Sequence, residues 1–339
     1  MKESSTSVDP RLRLLGDGCE PTRERFAADV EAGLAADPKT LSCAWFYDAR
    51  GSRIFEEICR LPEYYPTRAE EEILRAHVAE LVELVPAGAS VVELGSGSAT
   101  KTRILLAELL RREGEVQYVP VDISSSMLEH SSRALLRDYP GLSVVAVGAE
   151  YAAGLRLVRA EIEGRRLMLW LGSNVGNLGR REAVRFLSAV RQDLQPDDRF
   201  LIGIDLKKDR RVLERAYDDA AGVTARFNKN LLARINRELG GRFDLDAFRH
   251  QATWNEARGR VEMHLVSERE QTVTIEGLGL AVPFRAGETI HTESSHKYSL
   301  DEIDALAERS GFAVEARWLD EARRFSVQLL RPLPADDAG

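Results

Sequence analysis

The segment SVVELGSGSATKT, residues 90–102, is the strongest indication of the fold of this chain. Three of its first five residues, SVVEL, are apolar, and a short segment of this kind after a helix that ends in Pro and Gly is typical of a strand in a parallel sheet. Gly95 and Gly97 follow, and they allow unusual backbone angles and close approach of a ligand to the chain. An apolar-periodic helix then begins near residue 104. A strand, a glycine loop and a helix in this order predict an open α/β sheet that binds a nucleotide-like ligand at the loop.

The flanking sequence continues the alternation of strands and helices. Apolar residues at three- and four-residue spacing predict an amphipathic helix over residues 68–85, ended by Pro86 and Gly88. The next predicted elements are a strand over 118–124, a helix over 126–140, a strand over 142–151, a strand with its loop over 166–178, a helix over 181–194 and a strand over 199–207. This order predicts a doubly wound sheet.

The alternation breaks at Lys208, where a polar, helix-rich stretch runs to about Asp246. Antiparallel strands are then predicted from alternating side chains over residues 261–275 and 279–284. The chain closes with a predicted helix over 299–312, a connecting segment over 316–325 and a final strand over 326–332. Residues 208–296 therefore form an insertion, which we expect to lie over the open end of the sheet.

Composition and charge limit the classes of function. The 339 residues are 44% hydrophobic and 30% charged, and no run is apolar enough to span a bilayer, so we expect no membrane contact. A net charge of −8 argues against nucleic acid as a partner. Three widely spaced cysteines and an N-terminus without a signal-like apolar core favour a reducing, cytoplasmic location. None of the six histidines lies in a metal-binding motif, so we expect no metal.

The acidic residue after the loop favours one class of ligand. A dinucleotide fingerprint would have a third glycine where this chain has Thr100. Asp122 ends the second strand, where its carboxylate can accept hydrogen bonds from both ribose hydroxyls of an adenosyl group. Together with Glu93 before the loop, this order favours S-adenosylmethionine over a nicotinamide cofactor. The alternative is a tight turn, with Asp122 capping the helix near Ser124.

Beyond the loop, the chain resembles the histidine-specific N-alpha-methyltransferase family of ergothioneine biosynthesis from about residue 40 to its last strand. The matching segments are WFYDARGSRIFEEICRLPEYYPTRAE (45–70), ELGSGSATKTR (93–103), LGSNVGNL (171–178), AYDDAAGVTARFNKNLLARINRELG (216–240), WNEARGRVEMHL (254–265) and TESSHKY (292–298). Several segments of this length in the same order are far more specific than a glycine motif.

The resemblance implies a fold and an arrangement of domains. The fold is a Rossmann-like class I methyltransferase sheet with a second, α+β domain that binds the substrate. We expect a polar leader over residues 1–17, a substrate-binding domain from 18–68 and 208–296, and an S-adenosylmethionine-dependent methyltransferase domain from 69–207 and 297–333.

The resemblance also implies the reaction: three methyl transfers from S-adenosylmethionine to the α-amino group of L-histidine, giving trimethylhistidine. The partners are then small molecules, namely histidine and its mono- and dimethyl forms, and no obligatory protein partner is evident. Methyl transfer to an amine needs an oriented, deprotonated nitrogen, because an α-amino group is mostly protonated at neutral pH. Tyr64 and Asn177 match the family positions for this catalytic work.

Further residues are assigned to the substrate by the same resemblance. Tyr217 matches the position that binds the substrate carboxylate, and Glu293 and Ser295 match the pair that binds the imidazole nitrogens. Tyr47, Phe227 and Met263 are expected to line the pocket around the substrate. Taken singly, the aromatic residues and the methionine would be read as core, and Glu293 and Ser295 as a polar pair on an edge strand.

For the cofactor, the resemblance carries over Gly95, Lys101, Asp122 and Gly172, with Lys101 near the methionyl carboxylate. Gly97 belongs to the same loop. One departure follows the third strand, where the family has Gly-Asp-Phe and this chain has Ala-Glu-Tyr. Glu150 and Tyr151 are expected near the adenine in place of the family's residues.

Three other functions remain open from the sequence. Fungal methyltransferases of tryptophan derivatives look similar over the same domains, but Glu293 with Ser295 argues for histidine. A protein that binds S-adenosylmethionine without catalysis would not need Tyr64, Asn177 and Tyr217 together. A nucleic-acid methyltransferase would need clusters of basic residues to bind the phosphate backbone. This chain is acidic and its sequence shows no such clusters.

Overall fold

The computed structural model describes residues 9–16 and 22–334. Its helices are α1 Arg23–Ala35, α2 Ala49–Ile58, α3 Tyr65–Leu84, α4 Thr102–Glu113, α5 Ser125–Asp138, α6 Tyr151–Glu161, α7 Arg180–Asp193, α8 Arg210–Tyr217, α9 Val223–Leu239 and α10 Leu300–Arg309. Its strands are β1 Leu12–Leu15, β2 Lys39–Thr40, β3 Ser90–Leu94, β4 Val116–Asp122, β5 Leu142–Gly148, β6 Arg166–Trp170, β7 Arg199–Asp205, β8 Phe248–Asn255, β9 Arg260–Ser267, β10 Gln271–Ile275, β11 Leu280–Phe284, β12 Thr289–His296, β13 Phe312–Leu319 and β14 Phe325–Pro332. None of the helices in the described ranges is long and apolar enough to cross a membrane.

The larger sheet has eight strands in the order β1-β5-β4-β3-β6-β7-β14-β13. The first six are parallel, whereas β14 runs antiparallel to β7 and pairs with β13 as a hairpin. Helices α3, α4 and α5 pack on one face, and α6, α7 and α10 pack on the other. Helices on both faces explain why β3 and β6 are buried along their whole length and apolar at most positions. The predicted doubly wound α/β sheet is confirmed.

Two elements of this sheet differ from the expectations. The third strand was expected to reach Tyr151, but β5 ends at Gly148 and α6 begins at Tyr151. The connecting segment expected over residues 316–325 is wrong at its start, because residues 316–319 belong to β13. That strand is stabilised by its pairing with β14 at the sheet edge, and its side chains are mostly half-buried, so it lacks a clear apolar run.

Part of the segment expected to be a polar leader forms strand β1. Leu12 to Leu15 pair in parallel with Val144 to Val147 of β5. The Arg11 guanidinium also donates to the backbone oxygens of Leu136, Tyr139 and Pro140. The partners are more than a hundred residues away in the chain, so local composition does not reveal them. Residues 1–8 and 17 of the expected leader, and Cys19, lie outside the described ranges.

A second sheet lies beside the carboxyl ends of the parallel strands. Its four strands have the order β2-β12-β9-β8, and β10 and β11 form a separate hairpin. Helices α8 and α9 pack on β8 and β9, and α2 packs on α9. The two sheets approach each other where Tyr298, just after β12, bridges Leu206, just after β7. The segments expected to form a substrate-binding domain, 18–68 and 208–296, supply this sheet and its helices, and the division into domains stays a prediction.

Candidate active site

One cavity lies between the loop after β6 and the second sheet. All eight residues that the sequence assigned to the substrate line it, namely Tyr47, Tyr64, Asn177, Tyr217, Phe227, Met263, Glu293 and Ser295. They come from separate parts of the chain, and the fold brings them to one place. Gly172, assigned to the cofactor, lines the same cavity.

Aromatic rings form one wall of the cavity. The ring of Phe227, from α9, lies 5.8 Å from that of Tyr47 and 5.9 Å from that of Phe55. Tyr64 immediately precedes α3, and its ring lies 6.2 Å from Phe55 and 6.3 Å from Tyr217, edge to face in both cases. These are favourable distances for aromatic pairs, so the wall is well packed.

A β-bulge in β12 decides which of its side chains reach the cavity. His291 pairs with His264 of β9, but Glu293 pairs with the adjacent Met263, so Thr292 is an extra residue. Side chains alternate between the faces of a strand, and an extra residue reverses the alternation. Glu293 therefore shares the cavity face with Met263. The rings of His291 and His264 lie together on the opposite face, with 5.3 Å between their centroids.

Glu293 carries a carboxylate that has no hydrogen-bond donor among the residues that the structure describes. Burial raises its pKa from 4.5 to about 7, and the positive charge of Lys297 opposes the rise. The carboxylate is thus free to accept a hydrogen bond from a ligand, and it titrates near neutral pH.

Tyr217 and Ser295 form the side of the cavity beside Lys297. Their hydroxyl oxygens are 2.8 Å apart, and Lys297 Nζ donates to each of them at 2.9 Å. Lys297 Nζ also lies 2.7 Å from Asp205 Oδ2, and the two charged side chains are 0% exposed. Burial raises the pKa of Tyr217, although Lys297 opposes this, so the phenol stays protonated.

Asp205, the last residue of β7, anchors this buried cluster. Its carboxylate accepts hydrogen bonds from Lys208 and from the Tyr65 hydroxyl, which lies 2.8 Å from both oxygens. The nearby lysines, Lys297 first, hold the pKa of Asp205 below its ordinary value against the effect of burial. Burial lowers the pKa of Lys208 to about 8, although Asp205 opposes the shift.

The end of α8, which carries Tyr217, is held by a buried histidine. His250 Nδ1 lies 2.9 Å from the Asn228 amide nitrogen, and His250 Nε2 lies 2.8 Å from the Tyr217 carbonyl oxygen. Burial lowers the pKa of His250, so the ring is neutral, with its proton on Nε2 donated to the carbonyl. His250 thereby positions the backbone of Tyr217.

The loop after β6 brings Asn177 to the cavity. Gly172 and Ser173 both have positive φ, 79° and 61°, which turns the chain sharply into a 3-10 helix over Asn174–Asn177. Ser173 Oγ accepts a hydrogen bond from the Asp205 amide at 2.9 Å, which fixes the turn to β7. Opposite this loop, burial raises the pKa of Tyr64 well above 10, so its phenol stays protonated.

The glycine loop fits an adenosyl ligand. Gly95 and Gly97 have positive φ, 73° and 49°, and the space where a Cβ of Gly97 would stand is open. Asp122 accepts hydrogen bonds from the amides of Gly97 at 2.9 Å and Ser124 at 3.0 Å, one on each oxygen. The second lone pair on each oxygen can accept from a ribose hydroxyl. Asp122 therefore holds the loop and the helix start together and can also bind a ligand.

Lys101 has a protein partner that the sequence did not indicate. Its ammonium pairs with Glu70, a side chain of α3 that is completely buried. The Glu70 carboxylate also accepts from the Gly172 amide, at 2.9 and 3.0 Å from its two oxygens. Glu70 thus joins two residues assigned to the cofactor, and Lys101 lies near the position of a Cβ on Gly172.

Glu150 and Tyr151 lie at the end of β5, next to the glycine loop. Glu150 pairs with Arg25 of α1, and both side chains are about half exposed. The ring of Tyr151 packs against Trp170 and Phe186, while its hydroxyl lies 2.7 Å from where a Cβ of Gly95 would be. Tyr151 therefore touches the loop itself, and the contact of either residue with adenine stays a prediction.

Five residues that complete the site were not predicted from the sequence: Phe55, Glu70, Asp205, His250 and Lys297. Lys297 continues the alternation of Glu293 and Ser295, and Asp205 ends a predicted strand, so both had a weak positional signal. Glu70 and His250 look like ordinary residues of an amphipathic helix and a strand. Only their burial and partners distinguish them.

Comparisons with known proteins agree on the family to which the chain is similar. The sequence profile of a family described as histidine-specific, S-adenosylmethionine-dependent methyltransferases matches residues 26–332. The chain is 46% identical over 311 residues to a histidine N-alpha-methyltransferase of Mycolicibacterium smegmatis, covering 90% of this chain and 94% of that protein. It is 45% identical over 301 residues to a histidine N-alpha-methyltransferase of Mycobacterium tuberculosis, covering 89% and 93%. It is 30% identical over 286 residues to ergothioneine biosynthesis protein 1 of Neurospora crassa, covering 83% of this chain and 32% of that protein.

Proposed function

The chain belongs to the family of histidine-specific, S-adenosylmethionine-dependent methyltransferases, and we propose that it trimethylates the α-amino group of L-histidine. Three successive transfers give mono-, di- and trimethylhistidine (hercynine), which makes this a step of ergothioneine biosynthesis. The observation that carries the proposal is the cavity itself. It combines an unpaired, ionisable carboxylate on Glu293 with a hydroxyl pair and an aromatic wall, directly beside the loop after β6.

S-adenosylmethionine supplies an electrophilic methyl group on a positively charged sulfur. The chain provides the surroundings in which such a group reacts with an amine, mainly by holding the nitrogen in line. Gly95, Gly97, Lys101 and Asp122 are the residues we assign to the cofactor, together with Glu150, Tyr151 and Gly172 at its edges. Asp122 has one free lone pair on each oxygen for the ribose hydroxyls.

Tyr64 and Asn177 orient the amine in this proposal. A free α-amino group has a pKa of about 8, so a minor neutral fraction is available at neutral pH. The phenol oxygen of Tyr64 and the amide oxygen of Asn177 can each accept one N–H of that amine, which leaves its lone pair free. Because burial keeps the Tyr64 phenol protonated, Tyr64 acts as a neutral partner and does not introduce a second negative charge.

Glu293 recognises the imidazole ring. An ionised carboxylate can accept the ring N–H, and a side chain without that donor would leave a buried charge unpaired, which is costly. An indole also offers one N–H, but it is larger and has no second nitrogen for the hydroxyl side of the cavity. The aromatic wall of Tyr47, Tyr64 and Phe227 suits the trimethylammonium product through cation–π attraction.

Mass spectrometry tests this proposal. The purified protein is incubated with S-adenosylmethionine and, separately, histidine, tryptophan or tyrosine, with a control that lacks the methyl donor. We expect histidine alone to gain one, two and then three methyl groups. Absence of product on histidine, or an equal product on tryptophan, would refute the substrate assignment and leave the family membership intact.

A further inference from the structure

Lys297 is a buried charge behind the cavity to which no sequence motif assigns a task. An ammonium group has three N–H donors, and all three are used here, for Tyr217, Ser295 and Asp205. Its Nζ also lies 4.7 Å from the centroid of the Tyr217 ring. Burying a lysine is costly unless it is paired, and here Asp205 is the counterion that offsets this cost.

The hydrogen bonds of Lys297 restrict what the two hydroxyls can do. Since Lys297 donates to both oxygens, neither hydroxyl can donate to it. The two oxygens are 2.8 Å apart, so one hydroxyl donates to the other. A single O–H proton is left, and Tyr217 and Ser295 both line the cavity. This side of the cavity therefore offers one hydrogen-bond donor to a ligand.

The charges behind this donor are predominantly positive. Asp205 contributes one negative charge, and Lys297 and Lys208 both contact it. The pKa of Lys208, lowered to about 8 by burial, leaves it largely protonated at neutral pH. The Tyr65 phenol in the same cluster stays neutral, because burial raises its pKa well above 10. The free O–H of the hydroxyl pair, with a net positive charge behind it, is complementary to an anionic group of a ligand. Glu293, elsewhere in the cavity, is complementary to a ligand group that donates a hydrogen bond.

We propose that Lys297 is a positioning residue for the carboxylate of the amino-acid substrate. It acts through Tyr217, which accepts the O–H of Ser295 and donates its own O–H to that carboxylate. The inference rests on the proposed function and deepens it, because it explains how the cavity distinguishes the two ends of histidine. Glu293 then binds the imidazole ring, and the Ser295 oxygen, which accepts one hydrogen bond from Lys297, keeps a second lone pair for the imidazole contact that the resemblance implies.

The test compares histidine with histidinamide, which keeps the ring and the amino group but has a neutral amide instead of the carboxylate. Binding of each to the full-length protein is measured by titration calorimetry at saturating S-adenosylhomocysteine. For Lys297→Met we expect the affinity for histidine to fall about 10- to 100-fold, the loss typical of a charge-supported hydrogen bond. The affinity for histidinamide should change little, so the preference for histidine should shrink. A simple packing defect would weaken both ligands equally.

Lys207→Met is the matched control, because Lys207 is a nearby exposed lysine that pairs with Glu302 on the surface. It should leave both affinities unchanged. Asp205 keeps Lys208 and Tyr65 as partners in Lys297→Met, and thermal unfolding checks that the variant folds. If it does not, Lys297→Met combined with Asp205→Asn removes both charges of the pair and serves the same comparison.

A second measurement uses Tyr217→Phe, alone and with Lys297→Met. If Lys297 acts through the hydroxyl pair, its removal should cost much less histidine affinity in the Tyr217→Phe background. An equal loss for histidine and histidinamide, or no loss for either, overturns the inference while wild-type protein still converts histidine to product. Failure of the wild-type protein to bind histidine would instead refute the proposed function, and this inference with it.

Discussion

The proposed site has a cofactor end, formed by the glycine loop and Asp122, and a substrate end, formed by the cavity that Glu293 lines, and the two are built in different ways. At the cofactor end, Gly95, Gly97 and Lys101 lie in one loop, and Asp122 ends the adjacent strand β4. At the substrate end, the contributing residues range from Tyr47 to Ser295 and belong to both sheets and several helices. The cofactor end is thus a local motif of backbone turns, and the substrate end is an assembly of side chains.

Their electrostatics differ as well. Lys101 at the cofactor end is paired with a buried carboxylate, and Asp122 accepts backbone hydrogen bonds. At the substrate end, the Glu293 carboxylate has no donor among the described residues and a pKa raised to about 7. Glu293 lies on the second sheet, so we expect a substitution there to change substrate recognition and to leave the first sheet folded. This difference also allows the two ends to be tested separately.

The largest effect is expected from Glu293→Ala. Loss of the Glu293 carboxylate should lower kcat/KM for histidine about 100-fold or more, because the imidazole N–H then has no acceptor in a buried site. The affinity for S-adenosylhomocysteine, measured by calorimetry, should stay within about twofold of wild type, the ordinary scatter for independent sites.

Glu262→Ala is the matched control for this variant. Glu262 lies on β9 next to Met263, so it points away from the cavity, and it pairs with Arg260. It should leave both measurements unchanged. If Glu293→Ala weakened the binding of both ligands equally, the two ends would not be independent and the comparison would fail.

A smaller effect is expected on stability from Glu293→Gln. Burial raises the folded-state pKa of Glu293 from 4.5 to about 7, so the folded state binds this proton more tightly than the unfolded state. The wild type therefore loses stability as pH rises from 4.5 through 7, by up to about 3 kcal/mol above pH 7. Glu293→Gln should remove this loss, so its advantage in urea unfolding should be larger at pH 8 than at pH 5. The same difference at both pH values would contradict an unpaired buried carboxylate.

The smallest effect is expected from Asp122→Ala. The affinity for S-adenosylhomocysteine should fall about tenfold, the loss expected for ribose hydrogen bonds that are partly replaced by water. Histidine affinity at saturating S-adenosylhomocysteine should be unchanged. Asp138→Ala is the control, because Asp138 ends α5, is half exposed and pairs with Arg103. A large loss of histidine affinity in Asp122→Ala would show that the loop also shapes the substrate end.

The cofactor end, which is a local motif, was easier to predict from the sequence than the substrate end, which is assembled from distant residues. The strand over residues 90–94, the glycine loop after it and the doubly wound order were correct from local patterns. The edge strands β1 and β13 were not, because pairing with a distant partner stabilises them. The eight substrate residues were chosen by resemblance to a family, and nothing in their spacing indicates that they meet.

The class of fold, the kind of cofactor and the family follow from the amino-acid sequence, because apolar periodicity and glycine turns act over a few residues and long matching segments identify relatives. The charges of the site depend instead on contacts between distant parts of the chain. The bulge at Thr292 turns Glu293 into the cavity, and burial leaves its carboxylate without a donor there. The approach of β7 to the end of β12 buries Lys297 against Asp205 behind the hydroxyl pair. Burial and long-range pairing set pKa values and hydrogen-bond direction, and neither is encoded in the neighbouring residues of the chain.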